Sequence, residues 1–148
     1  MRISAKGRYA LAATTSMAQK YNKDEYITLI SISEKLDISK IYLEQVFSLL
    51  KRGNIVTSIK GSQGGYQLSK APHQITAYDV LSAVETSLFE TTEETLSKNV
   101  PELESALRST IYDSLDHSMK RTLQGISLYD LVLETEKYRS DQGLMFFI

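Results

Sequence analysis

Between Leu29 and Leu68 the chain spells a helix, a tight turn, a second helix and a glycine-tipped hairpin, and few folds accommodate that order. Ser39 stands where a helix cap belongs, ahead of Lys40-Ile41-Tyr42-Leu43-Glu44-Gln45-Val46-Phe47-Ser48-Leu49-Leu50-Lys51-Arg52. At about 100° per residue, Leu43, Val46, Phe47 and Leu50 fall in one stripe, the signature of a core-facing side. Ile41, Glu44, Gln45, Ser48 and Arg52 point away, with Lys40 and Lys51 on the flank. Ile38 before the cap and Leu43 within the helix make a hydrophobic staple. A glutamine amide can bond bidentately to adenine, a carboxylate can accept from the cytosine amino group, and Ile41 suits a thymine methyl. The same residue types also make an ordinary solvated helix face, so the helix alone does not decide its use.

The hairpin and the N-terminus shift the balance. Ile55 to Ile59 and Gly65 to Leu68 read as paired strands, with Gly61, Gly64 and Gly65 relieving the backbone at the tip. Lys60 sits at the base of that tip, next to Gly61, Ser62 and Gln63, where it can meet a phosphate or enter a minor groove. At the start of the chain, Ser4 caps a helix whose first turns hold Lys6, Arg8 and Tyr9, just after Arg2. A capped helix with a polar outer face, a basic ribbon behind it and cations at a helix start together suit duplex DNA. The candidate contacts are Arg2, Ser4, Lys6, Arg8, Tyr9, Ser39, Lys40, Ile41, Tyr42, Glu44, Gln45, Ser48, Lys51, Lys60, Gly61, Ser62 and Gln63.

Charge divides along the chain in the same way. Residues 1–70 hold eleven Lys/Arg against five Asp/Glu, a balance of +6, and residues 71–148 hold six against thirteen, a balance of −7. A net charge of −1 therefore conceals a basic half suited to nucleic acid, joined to a different kind of module. With no cysteine, the chain lacks disulfides, thiolate nucleophiles, zinc fingers and cysteine-ligated clusters. Of two histidines, His73 lies beside Pro72 and His117 four residues after Asp113, a spacing that reads as a surface pair, and no metal site is expected. No catalytic, P-loop or dinucleotide motif is present, so nothing here argues for an enzyme. No apolar run of membrane-spanning length and no signal-peptide pattern occur, which makes the expected location cytoplasmic.

Helices are expected over 4–20, 29–36, 39–53, 76–86, 101–121 and 127–138, with strands near 55–59 and 65–69. The expected fold is mainly α with a small β-hairpin wing: a winged helix-turn-helix over residues 1–72, then a helical dimerisation or regulatory region over 73–148. Thr76 caps a helix with Val80, Ala83 and Val84 inward, and the polar, acidic stretch 86–100 reads as a mobile connection. The helix from Pro101 carries Leu103, Leu107, Ile111, Leu115 and Met119 every four residues. Such a row drifts by about 40° per step around an α-helix, enough to pack on its own domain at one end and on a second copy further along. A homodimer is expected, since two-fold proteins read symmetric DNA sites. The apolar ending Gly143-Leu144-Met145-Phe146-Phe147-Ile148 needs cover, either as a dimer clasp or as a docking element.

Three ordered motifs, Met1-Arg2-Ile3-Ser4-Ala5-Lys6-Gly7-Arg8-Tyr9-Ala10, Tyr42-Leu43-Glu44-Gln45 and Gly64-Gly65-Tyr66, resemble the Rrf-two family of bacterial winged-helix regulators over nearly the whole chain. The resemblance implies a dimeric transcription factor, most simply a repressor, on a partly palindromic operator. It assigns Ser4, Lys6 and Tyr9 to phosphates, Glu44, Gln45 and their neighbours to the major groove, and the Lys60-Gly61 tip to the wing's contact. The family often carries arginine where Lys60 stands, and lysine lacks the planar guanidinium used in narrow minor grooves. Cluster-sensing members carry three cysteines in the segment matching 86–100, where this chain has none. The chain is more similar to the cysteine-free branch that represses cysteine metabolism, which implies O-acetylserine thiol-lyase as a partner at Ile148. No cofactor is expected. Two other classes stay open: an interaction protein whose output is enzyme binding through the tail, and a winged helix that binds nucleic acid without sequence preference.

Overall fold

The structure, a computed structural model, describes residues 2–61 and 64–146, with side chains through Gly143. Three helices open the chain: α1 over Ala5–Gln19, α2 over Leu29–Leu36 and α3 over Lys40–Arg52. Each starts on a hydroxyl cap, Ser4, Thr28 and Ser39, whose oxygen accepts from the N–H three residues on. Asp37 ends α2 in the left-handed conformation, φ 54°, which a short polar side chain tolerates, and so sets the tight turn into α3. Strands β1, Val56–Ile59, and β2, Gly65–Leu68, pair antiparallel in the register Val56↔Leu68 to Ile59↔Gly65. Ile27 adds a bridge outside β2, exchanging two 2.8 Å backbone hydrogen bonds with Tyr66.

The core explains why these elements assemble. Leu43, Val46, Phe47 and Leu50 of α3 are fully buried, as the wheel expects, together with Ala10, Ala13 and Met17 of α1 and Val56 and Leu68 of the hairpin. Phe47 stacks at a tilt on Tyr66 with centroids 4.8 Å apart, which ties the wing to α3. The same cluster continues into the second half through Ile75, Val80, Val84 and Leu128. Two capping boxes stand back to back there. Thr76 and Asp79 start α4, Ala77–Val84, while Ser127 and Asp130 start the last helix, and Thr76 bridges Ser127.

Three expectations need correction. The helix expected over 101–121 is α5, Pro101–Leu107, a π segment, Arg108–Tyr112, and α6, Asp113–Gln124. The wider i→i+5 turn takes up an extra residue and so offsets part of the drift that a four-residue row suffers on an α-helix. Leu103, Ile111 and Leu115 are 51%, 46% and 65% exposed, while Leu107 and Met119 are half-buried. The connection 86–100 is fastened rather than loose. Phe89 meets Tyr78 edge to face at 5.1 Å, and the Arg108 guanidinium donates to the Thr92 carbonyl at 2.6 Å. The last helix, α7, runs Leu128–Phe146, so the backbone from Gly143 to Phe146 continues a helix instead of forming a separate tail. Phe147 and Ile148 lie outside the described residues.

Candidate nucleic-acid interface

The face of α3 opposite the core carries the side chains that matter. Ile41 is 72% exposed, and Glu44, Gln45, Ser48 and Lys51 are all exposed. Lys40 and Glu44 face each other one turn apart at 3.8 Å, both about half in water, so the pair is soft and either member is free to turn to a base or phosphate. Burying one stripe completely gives this face its rigidity: the helix cannot roll without exposing Phe47 and Leu43.

The start of α1 lies against the start of α3. Tyr9 and Tyr42, both in early turns, meet edge to face. Ser4 caps α1 by accepting from Gly7 N–H at 3.1 Å, and Arg8 curls back to donate to the Ile3 carbonyl at 2.7 Å. Arg2 is exposed and Lys6 half-buried. Of the three groups that the resemblance assigns to phosphate, Tyr9 therefore packs on α3, and Lys6 lies three residues before it on α1. The third, Ser4, gives both its N–H and its hydroxyl proton to the Glu85 carboxylate. Glu85 was invisible to sequence reasoning, because nothing local marks an acid 81 residues away as a partner of a helix cap.

A groove of about 670 Å³ opens between the starts of α2 and α3 and the wing, with Thr28, Ile30, Lys40, Ile59 and Gly64 on its walls. Lys60 and Gly61 are exposed, while Ser62 and Gln63 lie outside the described residues. At the far base of the hairpin the Gln67 amide donates to carbonyls of the 22–25 turn, Lys23 O among them, which steadies β2 from outside. Gly65 adopts φ 153°, and a Cβ there would stand 2.9 Å from Tyr26 Cβ, so glycine is required where β2 begins.

A helix-turn-helix whose second helix presents a rigid polar face, flanked by a hairpin wing, defines a winged-helix, DNA-binding transcriptional regulator. The family model described as "Rrf2: Iron-dependent Transcriptional regulator" matches residues 3–134, and the chain belongs to that family. It is 31% identical to the HTH-type transcriptional regulator CymR of Bacillus subtilis over the whole length of both chains. It is 34% identical to the HTH-type transcriptional regulator IscR of Aliivibrio salmonicida, over 92% of this chain and 80% of that one. The solved structure of CymR, titled the global cysteine regulator of B. subtilis, superposes with a TM-score of 0.73 at 32% identity, covering 90% of this chain and 98% of that one. The family's description names iron, and the residues of this chain do not fit an iron–sulfur centre. It has no thiolate, and among the described residues no three His, Asp or Glu side chains converge on one point.

Proposed function

We propose that the protein is a sequence-specific repressor that acts in the cytoplasm as a homodimer on a partly palindromic operator, with genes of cysteine or sulfur metabolism as its targets. The observation that carries this reading is the two-sidedness of α3: Leu43, Val46, Phe47 and Leu50 fully buried, Ile41, Glu44, Gln45 and Ser48 outward. In it, residues 1–72 contact DNA and 73–148 dimerise. Glu44, Gln45 and Ile41 read bases, Ser39, Lys40, Tyr42, Ser48 and Lys51 flank them, and Arg2, Lys6, Arg8 and Tyr9 position the backbone. Lys60 and Gly61 lead the wing toward the neighbouring groove. Exposed Leu103, Ile111 and Leu115 supply the apolar face for a second copy. The choice of cysteine metabolism rests on the likeness to CymR, a global cysteine regulator by its title. Enzyme docking at Ile148 has no comparable support.

Selection of duplexes from a random library, followed by competition between the winner and its scrambled version, tests the reading. Two half-sites about one helical turn apart and strong preference for the winner are expected. Equal competition by the scrambled duplex would leave only phosphate binding and overturn it.

A further inference from the structure

Ser4 opens α1 as its cap and Glu85 closes α4 as its C-cap, and a single carboxylate oxygen joins them. Glu85 Oε1 accepts from Ser4 N–H at 3.0 Å and from the Ser4 hydroxyl at 2.8 Å. The carboxylate lies so close over the first turn of α1 that a Cβ on Gly7 would collide with it, and would also stand 2.9 Å from Ile3 Cγ2. Gly7 is what admits the acid. An ionised acceptor at this end stabilises the helix, since it faces the positive pole and takes unpaired donors. It also occupies the donors that a DNA phosphate would otherwise take.

The location gives that exchange a consequence. The first two turns of α1 carry Lys6, Arg8 and Tyr9, and Tyr9 rests on Tyr42 at the start of α3. Glu85 is also the last residue before the connection 86–100, which Phe89 fastens to Tyr78 and Thr92 fastens to Arg108 of the π segment. Glu85 thus stands at the junction of α4 and that connection.

We propose that Glu85 is a positioning residue for DNA binding: through Ser4 it ties the start of α1 to the end of α4, holding in place the helix whose Tyr9 packs on Tyr42 of α3, and it keeps one negative charge at the phosphate-facing end. The proposal rests on the regulator reading above. The wild-type chain, Glu85→Gln and Glu85→Ala are compared on the duplex selected with the wild type, across a salt series, together with hydrogen exchange at the amides of residues 4–8. Glu85→Ala should bind at least about tenfold more weakly and exchange faster at these amides, because α1 loses its anchor. Glu85→Gln keeps a carbonyl acceptor without the charge. It should restore slow exchange, bind about threefold tighter than wild type and depend more steeply on salt, which a purely structural role would not change. Gly7→Ala, which expels the carboxylate without removing it, should reproduce the loss seen for Glu85→Ala and serves if that variant fails to fold. Wild-type binding by Glu85→Ala and Gly7→Ala, or Glu85→Gln no better than Glu85→Ala, would overturn the role. A wild-type chain with no preference for any duplex would instead overturn the regulator reading, and this role with it.

Discussion

Tyr9 and Tyr42 meet edge to face, their ring centroids 5.1 Å apart and their planes at 81°. The pair joins the early turns of α1 and α3, the two helix starts proposed to contact DNA. It therefore sets the spacing between the groups proposed to contact phosphate and those proposed to read bases. In a double-mutant cycle with Tyr9→Leu and Tyr42→Leu, chemical denaturation should show a coupling of about 0.5–1.5 kcal/mol. Strict additivity of the two substitutions would mean the rings only touch.

Base reading and phosphate contact should separate by variant. Gln45→Ala is expected to cost about 1–3 kcal/mol on the selected duplex and to relax preference at one position of each half-site. Lys6→Ala should weaken selected and scrambled duplexes alike and flatten the salt dependence by about one phosphate's worth. Fluorescence anisotropy titrations on both duplexes measure the difference. Equal losses on both for Gln45→Ala would remove that residue from base reading.

The exposed row on α5 and α6 makes a prediction about assembly. Leu115 is 65% exposed in the single chain, and Leu115→Glu places a charge where a second copy is proposed to pack. Sedimentation should show the wild type as a dimer and the variant shifted to monomer, with the chain still folded by circular dichroism. DNA affinity should fall with it, since a monomer engages one half-site. A wild-type chain that sediments as a monomer would remove the dimer from the proposal.

Phe47 tests the core beneath the interface. It is fully buried and stacks on Tyr66 of the wing, so Phe47→Ala should destabilise the chain by about 3–5 kcal/mol in denaturant titrations. Phe47→Leu, which keeps most of the volume, should lose far less.

Lys35 supplies a prediction in pH. Burial, then repulsion from Lys20 and Arg139, hold its ammonium below the usual lysine pKa, although it still donates to Gln19 Oε1 at 2.9 Å. A lysine whose pKa is lower folded than unfolded binds fewer protons in the folded state. Its charge then opposes folding below the folded pKa, and that burden lifts as pH rises through the folded pKa toward 10.5. Lys35→Met should therefore melt slightly higher than wild type at pH 7, with the gap narrowing in alkaline buffer. A gap that widens with pH would reverse the sign of the effect.

Much of the fold was legible because its signals act over a few residues. Ser39 and the apolar spacing of Leu43, Val46, Phe47 and Leu50 specify both the start of α3 and its buried side, and the structure has all four buried. Thr76 with Asp79 marks α4 in the same local way. Gly64 and Gly65 mark the wing, since they take backbone angles, φ 63° and 153°, that other residues avoid. The outward face of α3 follows from its inward one by helical geometry alone.

What only the tertiary structure decided are the joins between distant segments. A row of apolar residues every four positions is compatible with one straight helix. The π segment that interrupts it comes with Arg108 reaching sixteen residues back to the Thr92 carbonyl and standing 5.5 Å from the Tyr112 ring. Gln67 holding the 22–25 turn and Glu85 seated on Ser4 are likewise contacts across 42 to 81 residues. Caps, turns and periodicity are energies of neighbouring residues and can be read in order along the chain. The partner of a polar side chain far along the chain depends on which surfaces the hydrophobic core brings together, and that core, drawn from both halves, is a property of the folded molecule.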